Sequence, residues 1–453
     1  MQKSITIKPS LKSILTFLIP SIIGIILFMT PVKHNGEITI PVAILSKILV
    51  NYLGASLPYI ITITVCFSAI ISIFTKIAKP NCILNNEYLN TLFNVGPLWF
   101  ISRILGAIFC VLVIMGVGPT PIIGDSTGSF VLNDLLTILF SIFLFAGFFL
   151  PLLLDFGLLE FFGAILTKVM RPIFRLPGRS SIDCITSWLG DGTLGIILTS
   201  KQYEDGFYSK REAAVISTTF SAVSITFSLV VISQVGLSHL FIPFYLTVTF
   251  AGIVAAMIIP RIYPLSKIPD TYYNNRPQVD NEIIPEGYTP FSWGYNLALD
   301  KAAKNTDIKA FLINGIKNVL DMWLGVLPVV MALATIALII AEFTPIFQIL
   351  GIPFIPVLKL LQVPEAVAAS QTLVVGFADM LLPSVLAAKN ITSDMTKFII
   401  ACTSVSQLIY MSEVGGVLLG SKIPVSLRQL LIIFLERTLV TLPIIVLVAN
   451  LIF

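Results

Sequence analysis

Long, almost uncharged apolar runs recur along the whole chain and limit its possible folds more than any other feature. A helix needs about 20 mostly apolar residues to cross a bilayer. Nine runs meet this condition: residues 13–30, 58–76, 98–118, 131–154, 213–235, 240–260, 319–342, 396–418 and 430–451. Only 11% of the residues are charged, against roughly 25% in soluble domains. The sequence therefore predicts an all-α polytopic membrane protein.

A shorter apolar run at residues 38–53 leaves the number of crossings open between nine and ten. It carries Lys47, so we interpret it as an interfacial or re-entrant helix, with a tenth crossing as the alternative. The first run follows a lysine-bearing start, as in a signal peptide. No small-residue cleavage pattern follows Thr30, which favours a retained first helix.

The distribution of lysine and arginine predicts the orientation. Cytoplasmic loops carry an excess of these residues, which places the N-terminus, Lys76 with Lys79, and the polar loop 262–311 in the cytoplasm. This indicates a multi-pass protein of the inner (cytoplasmic) membrane. We divide it into N-terminal helices (1–134), a first repeat (135–261), the cytoplasmic loop and a second repeat (312–453). The loop is interpreted as a linker, with an amphipathic surface helix over 291–304 as the alternative.

Two segments of the chain look like one unit used twice. At an offset of 184 positions the identical pairs are Pro172/Pro356, Gly192/Gly376, Ser209/Ser393 and Thr219/Thr403. Residues 168–211 hold seven basic side chains, and the equivalent window 352–395 holds two. Because the basic copy should be cytoplasmic, the asymmetry predicts inverted repeats.

The basic residues of the first copy also predict a helix that lies along the membrane surface. Lys168, Arg171, Arg175 and Arg179 are spaced 3, 4 and 4 apart, which places them on one helical face. Such a face suits the anionic inner leaflet.

Each repeat then contains a segment too short to cross and return as two full spans. Residues 181–200 and 365–388 suit re-entrant helical hairpins that turn at Gly190-Asp191-Gly192 and at Gly376-Phe377-Ala378-Asp379. Irregular backbone inside a membrane persists only where it lines a cavity or is buried in protein. Half-helix ends offer N–H groups or carbonyls to a ligand. Each aspartate is interpreted as a ligand-binding group or as the cap of the following half-helix.

Polar stripes follow both hairpins. Ser217, Ser221, Ser224 and Ser228 recur at helical spacing in the first repeat, as do Thr403, Gln407 and Tyr410 in the second. The alternative role is packing between helices. Arg103 is interpreted as snorkelling to the interface, and Glu436 with Arg437 as a local packing element. The predicted substrate-binding residues are Gly190, Asp191, Gly192, Thr193, Ser217, Ser221, Gln371, Thr372, Gly376, Asp379, Thr403 and Gln407, and Glu413 is the candidate ion-coupling residue.

These motifs resemble the Gate, or nucleoside recognition, domain of concentrative nucleoside transporters, ferrous iron transporter cores and spore maturation proteins. The layout is most similar to bacterial YjiH-type Gate proteins. In the nucleoside transporters a hairpin motif of the type Gly-Gln-Ser/Thr-Glu contacts the ligand. Here Gly190-Asp191-Gly192-Thr193 and Gly376-Phe377-Ala378-Asp379 stand in its place, and the glutamine is absent from both. The resemblance implies a transporter, for a nucleoside-like or another organic solute.

The sequence favours a permease for a small polar solute that works by alternating access, without a cofactor and with H⁺ or Na⁺ as the possible coupling ion. The alternatives are a Gate-domain subunit without transport of its own and a divalent metal permease. An enzyme is not expected: Leu189-Gly190-Asp191 lacks the first glycine of an intramembrane aspartyl protease, and HExxH is absent. Expected partners are the lipid bilayer and the solute, with a second copy or a second Gate protein possible and no nucleic acid.

Overall fold

A computed structural model describes residues 11–30, 32–34, 37–189, 192–220, 223, 225–275, 284–285 and 287–453. Nearly all of the described chain is helical. The exception is a short antiparallel hairpin of β1 (Val32–His34) and β2 (Glu37–Thr39), in which Val32 pairs with Thr39. The predicted turn residues Gly190 and Asp191, and Ser221 and Ser224 of the first polar stripe, lie outside the described residues.

The helices fall into an N-terminal group, two similar series and a connecting helix. The N-terminal group is α1 (Leu11–Met29), α2 (Pro41–Leu53), α3 (Leu57–Ala78), α4 (Asn81–Leu84), α5 (Glu87–Phe93), α6 (Pro97–Met115), α7 (Thr120–Ile123), α8 (Gly128–Phe130), α9 (Leu136–Phe149) and α10 (Pro151–Leu154). The first series is α11 (Leu158–Phe174), α12 (Ser180–Leu189), α13 (Gly192–Glu204), α14 (Lys210–Thr219), α15 (Ile225–Gln234) and α16 (Phe241–Ile258). The connecting helix is α17 (Pro290–Lys304), and α18 (Ile308–Leu320) and α19 (Leu327–Phe343) follow it. The second series is α20 (Ile346–Gly351), α21 (Phe354–Leu360), α22 (Ala366–Leu373), α23 (Leu382–Asn390), α24 (Asp394–Gln407), α25 (Val414–Gly420) and α26 (Leu427–Ile452).

Seven helical stretches of the described chain are long and apolar enough to cross a membrane. They are Leu11–Met29, Pro41–Ala78, Pro97–Met115, Thr120–Leu154, Ser238–Lys267, Ile308–Phe343 and Leu427–Ile452. Each corresponds to one of the predicted crossings. The other two predicted crossings, 213–235 and 396–418, are not continuous helices, because α14 ends at Thr219 and α24 ends at Gln407. The structure therefore has an all-α polytopic architecture with two interrupted segments.

The short apolar run at 38–53 forms α2, which is separate from α3. The two helices meet at Gly54, whose φ of +46° is a conformation that favours glycine. A helix of 13 residues is about 20 Å long, which is too short to cross. It packs against α9, with Val42 and Ser46 buried.

Each series is preceded by a helix that contains a π-helical segment, Val131–Leu135 before α9 and Asp321–Val326 before α19. The two helices contact each other through Trp323, whose ring stacks on Phe140 at 4.1 Å. The Trp323 indole N–H also donates to the Phe140 carbonyl at 3.0 Å. Segments of this kind occur mostly as local bulges, frequently beside functional sites.

Two element boundaries of the two series coincide at the offset of 184 positions, although others differ, since α13 begins at Gly192 and α23 begins at Leu382. Helices α12 and α22 end at Leu189 and Leu373, and α14 and α24 begin directly after Ser209 and Ser393. Both serines are N-caps: the Ser209 hydroxyl accepts from the Glu212 N–H at 3.2 Å, and that of Ser393 accepts from the Thr396 N–H at 3.3 Å. The two identical serines thus begin equivalent helices.

We call α12 with α13 hairpin one, and α22 with α23 hairpin two. Helices α14 and α15 form interrupted helix one, and α24 and α25 form interrupted helix two. Helix α13 of hairpin one packs against α25, and α23 of hairpin two packs against α15. Hairpin one therefore contacts α25, the second half of interrupted helix two. Hairpin two contacts α15, the second half of interrupted helix one. The last helix, α26, packs along α16 and α24.

The helix α11 is not the basic surface helix that was predicted. It ends at Phe174, and Arg175 adopts a left-handed conformation (φ +59°), so Arg175 and Arg179 leave the helical face. The Arg179 side chain turns inward and is 7% exposed. Arg171 instead pairs with Glu212 of α14 at 2.7 Å.

The polar loop contains a docked helix, so the linker interpretation does not hold for residues 290–304. Helix α17 packs along α11 and α1 and buries Trp293, Leu297 and Leu299. The contact is close at two glycines: a Cβ on Gly294 would stand 2.7 Å from the Phe161 carbonyl, and one on Gly157 would stand 2.5 Å from that of Ala298. The helix over 291–304 was predicted as an alternative, but it lies on protein.

Candidate functional site

The turn of hairpin two is held against the gap in interrupted helix two. Residues 374–377 form one 3₁₀ turn after α22, and the chain between α24 and α25 runs beside it. Two backbone N–H groups of this gap, those of Met411 and Ser412, donate to the carbonyls of Phe377 and Ala378 at 2.8 and 2.9 Å. The irregular backbone of both segments is thereby satisfied, as a membrane interior requires.

Asp379 joins the same two segments through its side chain. One carboxylate oxygen accepts from the Leu381 N–H at 2.8 Å, at the start of α23, and the other accepts from the Ser412 hydroxyl at 2.9 Å. Asp379 is not the N-cap of α23, which is Leu381, but its carboxylate accepts from the N–H directly before this half-helix and also faces the gap.

Gln407 is the most constrained of the predicted site residues. It is fully buried, and its amide NH₂ donates to the Leu373 carbonyl and to the Thr438 hydroxyl, both at 2.9 Å. Its carbonyl oxygen has no donor among the described residues. This oxygen lies over Gly376, where an added Cβ would stand only 2.3 Å away. A buried carbonyl without a donor costs about 1–3 kcal/mol, so a ligand that donates a hydrogen bond here would be bound favourably.

The gap in interrupted helix two follows from the conformation of Leu408, whose φ is +63°. The Tyr410 hydroxyl replaces part of the lost helical hydrogen bonding. It accepts from the Leu408 N–H at 3.1 Å and lies 2.8 Å from the carbonyl oxygens of Ser404 and Val405. Tyr410 is therefore a structural member of the polar stripe.

Arg437 connects the two interrupted helices, and the sequence reasoning missed this role. It is fully buried in α26. Its Nε and Nη2 atoms donate to the Ser406 carbonyl at 3.1 and 2.9 Å, and Nη1 donates to the Thr219 carbonyl at 3.2 Å. One cation thus sits at the C-terminal ends of both α14 and α24, where the helix dipoles favour positive charge. A signal was present in the sequence, because Arg437, Thr438 and Thr441 form a polar stripe within an apolar span.

A cleft lies beside this junction. It has a volume of about 40 Å³ and is lined by both interrupted helices, by Arg437 and by one face of α16 that includes Tyr245 and Thr249. Gly252 of α16 also lines it, and no atom lies within 4 Å of the position that a Cβ would take there. Space for a few water molecules therefore exists next to the buried guanidinium.

The base of hairpin one is held by a buried polar network. Asp183 of α12 accepts from the Thr199 hydroxyl and from the Gln202 amide, both at 2.8 Å. The Gln202 carbonyl accepts from Arg179 Nε at 2.6 Å, and the Arg179 guanidinium lies 3.6 Å from Glu160 and stacks on Phe207. Sequence reasoning missed Asp183 and Gln202, which the fold brings together across α12 and α13.

The remaining predicted residues are placed in three ways. Thr193, Ser217, Thr372 and Thr403 are buried, and the hydroxyls of Thr372 and Thr403 donate to carbonyls of their own helices. Gly192 and Glu413 are half-buried. Gln371 is exposed, because α22 turns the opposite face, with Ala369 and Leu373, inward. The structure thus brings Gly376, Asp379 and Gln407 together and leaves Gln371 apart from them.

A second, larger space opens between the N-terminal helices and hairpin one. We call it the vestibule. It has a volume of about 720 Å³ and is polar, with four basic and four acidic side chains in its lining. These are Arg103, Lys201, Lys317 and Lys422, and Glu87, Glu204, Asp205 and Asp321. Arg103 does not snorkel, since it is 4% exposed. Among the described residues, no group of three or more His, Cys, Asp or Glu could hold a metal ion.

Comparison with known proteins finds a family match in the middle of the chain. The sequence profile of the Gate family, described as "Nucleoside recognition", matches residues 136–238, which contain hairpin one and interrupted helix one. The chain is 51% identical over 439 residues to an uncharacterized protein of Alkalihalophilus pseudofirmus, with 97% of this chain and 95% of the relative covered. No solved structure matches the chain.

Proposed function

The chain belongs to the Gate (nucleoside recognition) family of membrane proteins, and we propose that it is a secondary transporter of a small polar solute. The observation that carries this proposal is the reciprocal packing of α13 on α25 and of α23 on α15. A two-fold axis between inverted repeats would produce such an exchange of contacts, which supports the proposal. Transporters commonly bind their solute between inverted repeats with discontinuous helices, and alternate access by moving one part against another.

The proposed topology counts nine crossings, seven continuous helices and two interrupted ones. The N-terminus lies in the cytoplasm, because the basic loops then face inward. Hairpins one and two enter from opposite sides. The solute site lies where hairpin two meets interrupted helix two, with the Gln407 carbonyl and Asp379 as hydrogen-bond acceptors.

These groups define what the solute must offer. Two acceptors in one site suit a solute with N–H or O–H donors, such as a nucleoside or another small organic molecule. Opening of hairpin two would break the two backbone hydrogen bonds to residues 377 and 378 and expose the site. A gradient of H⁺ or Na⁺ would drive uptake, and the chain would act as a carrier without catalysis.

Labelling of introduced cysteines tests the inverted arrangement. Asp205 and Lys389 occupy equivalent positions, 184 apart, and both are exposed. Asp205→Cys and Lys389→Cys would be made after replacement of the five native cysteines. A membrane-impermeant maleimide should label them from opposite sides of the membrane. Labelling from the same side would refute the inverted repeats and the transport mechanism built on them.

Uptake into proteoliposomes tests transport itself. Nucleosides, amino acids, dipeptides and divalent metals would be offered with H⁺ or Na⁺ gradients, to wild type and to Asp379→Asn. We expect saturable uptake of one organic class that Asp379→Asn reduces. Uptake of a divalent metal alone would favour the metal permease. No uptake, together with co-purification of a stoichiometric second membrane protein, would favour a non-transporting subunit.

A further inference from the structure

Arg103 is a buried cation without a counter-ion at the wall of the vestibule. It lies on α6, is 4% exposed and forms no ion pair among the described residues. Its hydrogen bonds are made by one nitrogen only: Nη1 donates to the Ser72 hydroxyl and to the Leu92 carbonyl, both at 2.9 Å. A buried charge is normally paired, because desolvation is costly.

The Nε and Nη2 atoms form the edge of the guanidinium that binds oxyanions in a bidentate manner. We call this edge the fork. The Nε–H has no acceptor among the described residues, and no described group accepts from Nη2. Two parallel N–H donors match the two oxygens of a carboxylate or of a phosphate. The guanidinium is therefore fixed in place by Nη1, while the Nε–H is buried and neither donor of this edge has a partner among the described residues.

Space for that ligand is provided by a glycine in the π-helical segment before α19. Gly325 also lines the vestibule, and a Cβ placed on it would lie 3.9 Å from Nη2 with nothing nearer. Any larger side chain at this position would extend into the space beside the fork. Trp99, one helical turn before Arg103, adds an aromatic surface to the same wall.

We infer that the vestibule contains an oxyanion-binding site, in which the Nε and Nη2 atoms of Arg103 bind a carboxylate or phosphate group beside Gly325. The site is separate from the gap at Gln407, and it stands whether or not the chain transports a solute. The oxyanion belongs to a soluble organic acid, to inorganic phosphate or to a lipid headgroup, which share this chemistry.

Thermal stabilisation of the purified full-length protein in detergent tests the site without any gradient. The probes are acetate, inorganic phosphate and a short-chain phosphatidylglycerol, each compared with chloride at equal ionic strength. A ligand that binds only the folded state raises the melting temperature in a saturable manner. Stabilisation by acetate or phosphate would assign a soluble oxyanion, and stabilisation by the lipid alone would assign a headgroup.

Three variants connect the binding to the fork. Arg103→Gln removes the charge, and we expect the dissociation constant to rise about 10- to 100-fold. Arg103→Lys keeps the charge but loses the fork, so it should not restore wild-type affinity. Gly325→Val keeps Arg103 and fills the space, so it should weaken binding even if Arg103→Gln fails to fold.

Arg428→Gln is the matched control, since Arg428 is exposed on α26 and should leave binding unchanged. Binding that is lost in Gly325→Val and in Arg103→Gln but kept in Arg428→Gln would establish the site. No saturable stabilisation by any probe, or equal stabilisation of all variants, would overturn the inference.

Discussion

Hairpin one and hairpin two lie at the same place in the two helical series, but the hydrogen bonds described for them differ in position and burial. The base of hairpin one is fixed by the buried network of Asp183, Gln202 and Arg179. Hairpin two is held at its turn, by backbone hydrogen bonds to the gap and by Asp379. Its base is exposed, with Glu365 accepting hydrogen bonds from the backbone N–H groups of Thr392 and Ser393.

This difference predicts that the two hairpins differ in mobility. Buried hydrogen-bond networks rigidify the elements that they join. A turn held by a few hydrogen bonds next to a buried acceptor without a donor opens at lower cost. We expect hairpin two to be the part that moves and hairpin one to be the part against which it moves.

Arg437 is shared by both repeats, so its removal should have the largest effect. Arg437→Met leaves the carbonyls of Ser406 and Thr219 without donors inside the membrane, and we expect the free energy of unfolding to fall by about 3–5 kcal/mol. Thermal denaturation in detergent measures this. Arg428→Met on the same helix is the control. Equal stability of the two variants would show that the interrupted helices do not depend on the guanidinium.

The two hairpins should respond differently to the loss of an aspartate charge. Asp183→Asn places an amide NH₂ donor opposite another donor, the hydroxyl of Thr199 or the amide of Gln202. We expect the free energy of unfolding to fall by about 1.5–3 kcal/mol. Asp379→Asn keeps a side-chain oxygen that accepts from the Leu381 N–H. The free energy of unfolding should therefore fall by less than about 1 kcal/mol, while uptake of the solute is reduced. Parallel melting and uptake measurements test the pair. The opposite order of stability losses would contradict the comparison.

Gln407 should matter for uptake more than for stability. Gln407→Met removes two hydrogen bonds together with the carbonyl that lacks a donor, so stability should change by no more than about 1 kcal/mol. Uptake should fall at least about tenfold, because the solute would lose one hydrogen bond to the Gln407 carbonyl and about 1.4 kcal/mol corresponds to a factor of ten. Gln371→Met, on the exposed face of the same hairpin region, is the matched control. A larger loss in Gln371→Met would place the site outside the hairpin turn.

The smallest expected effect is a pH dependence at the base of hairpin two. The Thr392 hydroxyl and the Ser393 N–H donate to Glu365 and hold the pKa of its carboxyl below the ordinary 4.5. Because the folded pKa is lowered, this contribution is complete above pH 4.5 and is lost as the pH falls through the lowered value.

Glu365→Gln should therefore melt below wild type at neutral pH, and the difference should disappear in acid. Lys389→Gln, at the end of the same hairpin, serves as the control. A difference that persists unchanged below the lowered pKa would show that the carboxylate charge plays no part in this contact.

The sequence alone determined the class of protein, the position of the continuous spans and the starts of two helices in the series. These depend on local properties, namely apolar length and the residues that begin and end helices, such as Ser209 and Ser393. It also pointed to Gly376, Asp379 and Gln407, because polar groups in apolar segments are conspicuous. The family profile then matched the same first repeat.

Only the tertiary structure decided where the crossings break and which buried charges meet. The gaps at 408–413 and after Thr219 read as continuous apolar helix in the sequence, because a single residue such as Leu408 in a left-handed conformation leaves no compositional trace. Arg437, Arg103 and Asp183 were misassigned or missed for a related reason. Their partners are backbone carbonyls and side chains far along the chain, and only packing brings these within hydrogen-bond distance.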